Sequence, residues 1–312
     1  MTVAYVFPGQ GSQRVGMGKD LFETFEVAKN TFQEADEILG INLSQLCFEG
    51  PENELRQTIN AQPAIVTVSF ACLRSAQEYG GENLFPPSFV AGHSLGEYTA
   101  LAVANVLDFQ TTVYLARERG RLMHEAGQIQ EGAMVAIIGL DEAITSSICH
   151  DTRTKVANIN CPGQLVISGA KERVDKATQL AKEAGAYRVI PLQVSGAFHT
   201  PLMEPAMTEL SRIITSLEFH APDIPIIANT SAQPITTVDM IKEELVTQLC
   251  NCIQWQGSIE YMIANGTTQF IEIGPGRVLS GLIKRIHKTI PTTNLNDMTS
   301  IKDLIDSGEV GE

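Results

Sequence analysis

The sequence predicts an α/β protein in which a large domain with a largely parallel sheet carries a smaller inserted domain. The chain has 312 residues, enough for two such domains, and short apolar runs alternate with helical patterns along most of it. The pattern changes near residue 128 and changes back near residue 196. We therefore expect a large domain of residues 1–127 and 196–290, a small domain of residues 128–195, and an acidic, loosely held tail over 291–312.

Apolar runs that end in turns indicate the first strands of the large domain. Residues 3–7 predict a buried strand that leads into the glycine-rich loop 8–12. Residues 62–79 predict a helix, residues 88–91 a second short strand, and an alanine-rich helix follows from about 95 to 106.

Six elements in the small domain follow the order β-α-β-β-α-β, which is the ferredoxin-like split pattern. Pro162-Gly163 predicts the turn between the two middle strands, and Gly185 predicts the end of the second helix. The predicted elements are strand 133–138, helix 141–149, strands 155–160 and 164–169, helix 171–184 and strand 187–192.

Composition argues against several classes of partner. Lys and Arg number 22 and Asp and Glu 36, a net charge of −14, which argues against binding to nucleic acid or to anionic membranes. No run approaches the ~18 apolar residues of a membrane span, and no secretory signal is visible. The six cysteines lack metal-like spacing, so we expect reduced thiols, no metal site and a cytoplasmic protein.

The segment Gly92-His93-Ser94-Leu95-Gly96 is a Gly-x-Ser-x-Gly nucleophile elbow between a predicted strand and a predicted helix. Only glycine fits two residues either side of so tight a turn, which exposes the serine hydroxyl above the sheet. The following helix directs its free N–H groups at the charge that forms when serine attacks a carbonyl. This indicates a large domain of α/β-hydrolase-like type with Ser94 as nucleophile.

A serine nucleophile needs a general base, and His199 is the best candidate. It lies in a loop of small residues between a strand and a helix, whereas His93 adjoins Ser94 and points elsewhere. No Asp or Glu stands out as a third member, so a backbone or side-chain amide carbonyl is an alternative acceptor for the other ring N–H. The remaining histidines are interpreted as surface residues or as histidines with ordinary hydrogen-bond partners: His124, His150, His220 and His287.

Six short motifs follow one another along the chain in a fixed order. They are Phe-Pro-Gly-Gln-Gly-Ser-Gln at 7–13, Gly-His-Ser-Leu-Gly-Glu-Tyr at 92–98, Arg-Gly-x-x-Met at 119–123, Gly-Ala-Phe-His-Thr at 196–200, Gln-Trp at 254–255 and Glu-Ile-Gly-Pro-Gly at 272–276. In this order they resemble the malonyl-CoA:acyl carrier protein transacylases and the acyltransferase domains of polyketide synthases. The similarity covers about residues 3–290 and favours an acyltransferase of fatty acid or polyketide biosynthesis.

The resemblance implies a role for each residue of the reaction centre. Ser94 becomes acylated and His199 takes its proton, while the backbone N–H groups of Gln10 and Leu95 form the oxyanion hole. The backbone carbonyl of Gln254 orients His199.

The resemblance also implies a substrate-binding set. Arg119 holds the free carboxylate of the substrate through a two-pronged contact, although a run such as Arg117-Glu118-Arg119-Gly120-Arg121 is by itself typical of a solvated helix face. Phe198 leaves no room for a 2-methyl branch and so favours malonyl. The further residues expected around the substrate are His93, Met123 and Asn160, with Asn158 and Gln164 lining the cleft between the domains.

The expected reaction is a ping-pong transfer of malonyl from malonyl-CoA to the phosphopantetheine thiol of an acyl carrier protein, without a cofactor and by a monomer. Lys284, Arg285 and Lys288 are candidates for docking the acidic carrier, or else simply face water. Two alternatives stay open: a thioester hydrolase of the same fold, which needs no carboxylate clamp, and a non-catalytic carrier-binding subunit.

Overall fold

The computed structural model describes residues 2–81 and 84–306, and within them six strands form the sheet of the large domain. The strands are β1 (Val3–Phe7), β2 (Phe89–Gly92), β7 (Ile226–Ile227), β8 (Pro234–Ile235), β9 (Gln269–Ile273) and β10 (Thr292–Leu295). Their order in the sheet is β10-β9-β1-β2-β7-β8. Neighbouring strands are parallel from β10 to β7, and the short edge strand β8 is antiparallel to β7.

Helices cover both faces of this sheet, and none of the described helices combines the length and the apolar character needed to cross a bilayer. The helices of the large domain are α1 (Lys19–Thr24), α2 (Glu26–Leu39), α3 (Leu43–Glu49), α4 (Glu52–Leu55), α5 (Thr58–Gly80), α6 (Gly96–Val103), α7 (Phe109–Ile129), α10 (Glu204–Ser216), α11 (Val238–Thr247), α12 (Trp255–Ala264), α13 (Val278–Ile286) and α14 (Met298–Asp306).

The alternation of side chains along β1 divides the core into two layers. Tyr5 and Phe7 point to one face and pack in the cluster that contains α5 and α7. Val6 points to the other face and packs in the cluster of α12 and α13. Helix α5 is buried along most of its length because it packs against the sheet on one side and against helices α2 and α7 on the other. The parallel sheet therefore has both faces covered, as a largely apolar β1 predicts.

The small domain contains β3 (Gly132–Ile138), α8 (Glu142–Thr152), β4 (Lys155–Cys161), β5 (Gln164–Ala170), α9 (Lys171–Glu183) and β6 (Arg188–Pro191). Its strands pair antiparallel in the order β4-β5-β3-β6. Val135 and Ile137 pack against α8 and α9, whereas Met134 and Ala136 on the opposite face line a cleft toward the large domain. The predicted α/β class with a ferredoxin-like inserted domain is confirmed.

The expected loosely held tail is wrong for residues 292–306. Strand β10 pairs in parallel with β9, and α14 buries Ile301 and Leu304 in the main core. Helix α14 also contacts α5. The polar composition of the segment is compatible with this position because β10 is an edge strand with largely half-buried side chains. The rest of the expected tail, residues 307–312, lies outside the described residues.

Candidate active site

The candidate site lies where three parallel strands end. Gln10 follows β1, Ser94 follows β2 and Asn229 follows β7, so the three residues meet at the carboxyl edge of the sheet. A cleft of about 980 Å³, including its open mouth, runs from this edge to the open face of the small sheet. Its walls include Ser94, Arg119 and His199 from the large domain. The position fits a pocket formed between two domains.

Ser94 occupies a strained turn that only its flanking glycines permit. Its φ is 52°, in the left-handed region that non-glycine residues rarely adopt. A Cβ on Gly92 would lie 1.8 Å from the carbonyl carbon of Gly96, and a Cβ on Gly96 would lie 2.0 Å from the carbonyl oxygen of Phe7. Glycine is therefore required at positions 92 and 96, as the elbow motif predicts, because β1, β2 and the start of α6 are too close together for a side chain there.

His199 forms a hydrogen-bonded pair with Ser94. The distance from Ser94 Oγ to His199 Nε2 is 2.9 Å, and His199 Nδ1 lies 2.8 Å from the backbone carbonyl oxygen of Gln248. A carbonyl oxygen only accepts, so Nδ1 carries the hydrogen and Nε2 is left to accept the Ser94 proton. The pair therefore has the geometry and the tautomer of a nucleophile with its general base.

The expectation that Gln254 orients His199 is wrong, because Gln248 occupies that place. Gln248 begins a short 3₁₀ turn, Gln248–Cys250, directly after α11, and this turn presents its carbonyl to the imidazole. Gln254 stands at the start of α12, where its carbonyl oxygen accepts from Ser258 in the first helical turn. Its carbonyl is therefore used within α12.

Arg119 is a buried guanidinium whose hydrogen-bond partners are all uncharged. Its side chain is 1% exposed, and Nη2 donates to Ser94 Oγ at 3.1 Å. The other partners are the side-chain oxygens of Gln62 at 2.9 Å and Gln248 at 2.7 Å. Within residues 2–81 and 84–306 no carboxylate forms an ion pair with it, and Nε has no partner. Helix α7 thus directs Arg119 inward and not to a solvated face.

The backbone N–H groups of Leu95 and Gln10 are available to an oxyanion, whereas those of the residues on either side of Leu95 already have partners. Ser94 N donates to Asn229 Oδ1 at 2.7 Å, and Gly96 N donates to the His93 carbonyl at 3.0 Å. The N–H of Leu95 between them, and the N–H of Gln10 across the cleft, have no partner among the described residues. Leu95 also lies at the N-terminus of α6, where the helix dipole favours negative charge.

The other expected substrate-binding residues all line the cleft: His93, Met123, Asn158, Asn160, Gln164 and Phe198. His93 Nε2 lies 2.9 Å from Asn160 Oδ1, which links the elbow to strand β4 of the small domain. The sulfur of Met123 accepts from Gln62 at 3.3 Å. Phe198 is 5% exposed and adjoins His199. The structure therefore brings all of these predicted residues together in one cleft.

Burial changes the proton affinities of the two histidines at the site. Burial first, and then the positive charge of Arg119, lower the pKa of His199 from 6.5 to about 3. Burial also lowers the pKa of His93. Both imidazoles are accordingly neutral at physiological pH, which is the state in which His199 can accept a proton.

Four residues beneath the site were missed by the sequence analysis: Gln62, Glu97, Asn229 and Gln248. All four are at most 1% exposed, and each forms hydrogen bonds to a residue of the reaction centre or to another of the four. Burial first, and then the neighbouring carboxyl of Glu244, raise the pKa of Glu97. Glu97 was visible as a single charge within the otherwise uncharged helix segment Gly96–Val103.

The cations considered for carrier docking are exposed. Lys284 and Arg285 lie in the last turn of α13 and Lys288 follows it. Arg285 donates to Gln164 at 2.5 Å. Since Gln164 lines the cleft, Arg285 lies close to its mouth.

Comparison with known proteins assigns the chain to a family. The family model described as an acyl transferase domain matches residues 4–305. The chain belongs to the acyl transferase family. Within this family, a malonyl CoA-acyl carrier protein transacylase of Bacillus subtilis (strain 168) is 47% identical over 305 residues, 96% of this chain and 95% of that protein. The protein of the same name from Escherichia coli (strain K12) is 43% identical over 302 residues, 96% of this chain and 97% of that protein.

Solved structures of acyl transferases agree with this assignment. A malonyl-transacylase in complex with a type II polyketide synthase acyl-carrier protein is 42% identical, with a TM-score of 0.94 over 98% of this chain and 100% of that chain. An acyl carrier protein S-malonyltransferase from Vibrio cholerae is 44% identical, with a TM-score of 0.93 over 97% of this chain and 100% of that chain. The resemblance to malonyl-CoA:acyl carrier protein transacylases is confirmed.

Proposed function

We propose that this acyl transferase moves a malonyl group from malonyl-CoA to the phosphopantetheine thiol of an acyl carrier protein, by a ping-pong mechanism through a malonyl ester of Ser94. The reaction would supply extender units for fatty acid or polyketide synthesis. The names of the transacylases that match this chain over 96% of its length support the proposal.

The observation that carries the proposal is the buried guanidinium of Arg119 beside the nucleophile. Its Nη2 lies 3.1 Å from Ser94 Oγ, and its present partners are uncharged oxygens. A buried cation with no carboxylate in direct contact is costly, so a substrate carboxylate is strongly favoured at this position. An acyl group with a free carboxylate a few atoms from the reacting carbonyl, such as malonyl, fits this separation.

In the first half-reaction, Ser94 Oγ attacks the thioester carbonyl of malonyl-CoA while His199 Nε2 takes the hydroxyl proton. The N–H groups of Gln10 and Leu95 stabilise the tetrahedral oxyanion. When this intermediate collapses, the carbon–sulfur bond breaks and His199 returns the proton to the CoA sulfur. The products are free CoA and the malonyl ester of Ser94.

The second half-reaction reverses these steps with the carrier thiol as nucleophile. His199 takes the thiol proton, the sulfur attacks the ester carbonyl, and Ser94 leaves as its hydroxyl after regaining a proton from His199. Each half-reaction exchanges one acyl bond for another, thioester for ester and then ester for thioester, with no change of oxidation state, so the reaction needs no cofactor. Arg119 keeps the malonyl group in place between the two steps and so favours transfer over loss to water.

We assign the carrier and the location as parts of the same proposal. The exposed cations of α13, with Arg285 tied to the cleft residue Gln164, form a surface that complements an acidic carrier. One chain supplies every group of the mechanism, and we therefore propose action as a monomer. The six cysteines, all unpaired within the described residues, fit a reducing cytoplasm.

Labelling with radioactive malonyl-CoA tests the proposal. We expect a stable labelled ester on the wild-type chain, no label on Ser94→Ala, and transfer of the label to a phosphopantetheinylated carrier protein when it is added. Rapid release of free malonate would identify the thioester hydrolase instead. An unlabelled wild-type chain would identify the non-catalytic carrier-binding subunit, and a labelled Ser94→Ala chain would remove Ser94 from its role.

A further inference from the structure

Glu97 is a fully buried carboxylate that lies beneath the nucleophile elbow, outside the cleft walls. It stands in the first turn of α6 and is 0% exposed. Its Oε1 accepts from both N and Nδ2 of Asn229 at 2.9 Å, and its Oε2 accepts from Nε2 of Gln248 at 2.5 Å. Three N–H donors on two partner residues thus converge on one carboxylate, and these hydrogen bonds favour the ionised form and oppose the effect of burial and of Glu244 on its pKa.

The contact between Glu97 and Asn229 affects the backbone of Ser94, because Asn229 also accepts a hydrogen bond from the Ser94 N–H. Because Asn229 Nδ2 is directed to Glu97 and to the Gly92 carbonyl at 2.7 Å, its Oδ1 is left to face Ser94 N at 2.7 Å. An amide group rotated by half a turn would present a donor to the Ser94 N–H and lose this contact. Glu97 therefore fixes the orientation in which Asn229 holds the strained turn at Ser94.

The contact between Glu97 and Gln248 affects the positions of Arg119 and His199. Because Nε2 of Gln248 is directed to Glu97 and to the Ser94 carbonyl at 3.0 Å, its Oε1 is left to accept from Arg119 at 2.7 Å. The backbone carbonyl of the same residue holds His199 Nδ1. The orientation of one side-chain amide is thus coupled to the position of both Arg119 and His199.

We propose that Glu97 is a positioning residue for the transfer reaction, whose acceptor-only carboxylate orients the amides of Asn229 and Gln248 and through them places Ser94, His199 and Arg119. This inference rests on the proposed function, since it concerns the geometry of the same reaction. A carboxylate is required because both partners present donors, and a glutamine in its place would oppose one of them with a donor of its own.

The neighbouring Glu244 provides a matched control. It is also buried, at 5% exposure, and lies close enough to Glu97 to raise its pKa. The hydrogen bonds of its carboxylate go to the backbone N–H and the hydroxyl of Thr230, and not to Gln248. Removing its charge changes the same buried region without changing the polarity of the Gln248 amide.

The test compares Glu97→Gln and Glu244→Gln with the wild type in single-turnover acylation by malonyl-CoA and by acetyl-CoA, each normalised to the number of sites that become labelled. In Glu97→Gln the amide of Gln248 has to rotate, and its NH₂ group then faces Arg119. We expect the malonyl rate per active site to fall at least about tenfold, and the malonyl-to-acetyl rate ratio to fall by about the same factor. Glu244→Gln should retain the wild-type ratio.

A structural defect alone predicts a different result. Partial unfolding of Glu97→Gln would lower the number of labelled sites and leave the rate per site and the rate ratio unchanged, and that outcome would overturn the proposal. Glu97→Asp serves if the glutamine variant does not fold, because it keeps the acceptors at shorter reach. It should show a reduced rate ratio, and an unchanged ratio would count against the proposal. Absence of a labelled ester on the wild type would refute the proposed function itself.

Discussion

Ser94 and His199 both have left-handed backbone conformations, with φ of 52° and 60°, and their side chains meet at 2.9 Å. Each such conformation costs about 1–3 kcal/mol for a residue other than glycine. The surrounding contacts have to offset this strain on both sides of the cleft. For Ser94 these contacts are the close packing of the elbow glycines and the hydrogen bond to Asn229.

Substitution of Gly96 tests whether the elbow depends on this packing. An added Cβ would lie 2.0 Å from the Phe7 carbonyl oxygen, so we expect Gly96→Ala to lower the free energy of unfolding by at least about 1–3 kcal/mol. Gly281→Ala, within α13 and with open space around the new Cβ, should instead raise it by about 0.5–1 kcal/mol. Urea unfolding measures both, and a Gly96→Ala variant as stable as the wild type contradicts the packing argument.

Much of the fold was predictable because local signals agreed with the final structure. The apolar run 3–7 is strand β1 at the predicted bounds, and the turn at Pro162-Gly163 separates β4 from β5. The segment 292–306 was not predictable in this way. Its strand β10 has no strong apolar alternation, and its place in the sheet is set by pairing with β9.

Within the site, the nucleophile, the base and the buried guanidinium were predictable, whereas the backbone carbonyl that orients His199 was not. Ser94, His199 and Arg119 each have a side chain that the reaction requires. By contrast, any backbone carbonyl can orient an imidazole, and the choice between Gln248 and Gln254 depends on a 3₁₀ turn that the sequence does not signal. Residue type alone therefore could not locate the acceptor.

Gln248 and Gln254 provide a paired test of the role given to the Gln248 side chain. Gln248→Ala removes the hydrogen bonds to Arg119, Glu97 and the Ser94 carbonyl, and we expect malonyl kcat/KM to fall about 10- to 100-fold. Gln254→Ala keeps the backbone contacts of that residue and should change kcat/KM less than about threefold. Steady-state transfer to a carrier protein distinguishes the two variants, and equal losses would contradict the role given to the side-chain contacts of Gln248.

Arg119→Ala tests the carboxylate clamp. The substitution leaves the malonyl carboxylate buried without a partner, which corresponds to a loss of about 3–5 kcal/mol, or about 10²- to 5 × 10³-fold in malonyl kcat/KM. Acetyl has no carboxylate, so its transfer should become faster relative to malonyl transfer. Competition between labelled malonyl-CoA and acetyl-CoA measures the ratio, and equal losses for both acyl groups would show that Arg119 does not bind the carboxylate.

The pH dependence of acylation reports the proton affinity of His199. Its pKa is lowered to about 3, so the imidazole stays neutral and able to accept the Ser94 proton as the pH falls through 6.5. We expect kcat/KM for ester formation to fall only below about pH 4. A bound malonyl carboxylate offsets the charge of Arg119, which raises the pKa of His199, so the acid limb of kcat should lie at higher pH than that of kcat/KM. Rapid-quench measurement of the ester gives both profiles, and a kcat/KM limb near 6.5 would contradict the assignment.

Phe198 tests selectivity at the acyl group itself. Its ring is 5% exposed, lines the cleft and adjoins the general base His199, so a methyl branch on the substrate would compete with it for space. We expect Phe198→Ser to raise the ratio of methylmalonyl to malonyl kcat/KM at least about tenfold, because one methyl group in a closed pocket is worth about 1–3 kcal/mol.

Val278 supplies the control for this experiment. It also lines the cleft but is 51% exposed at its mouth. A methyl branch near the Ser94 ester would not reach an exposed residue of the mouth, so Val278→Ala should leave the methylmalonyl-to-malonyl ratio unchanged. If both substitutions raised the ratio equally, selectivity would depend on general access to the cleft. If Phe198→Ser left it unchanged, the methyl branch would have to be excluded by another wall of the cleft.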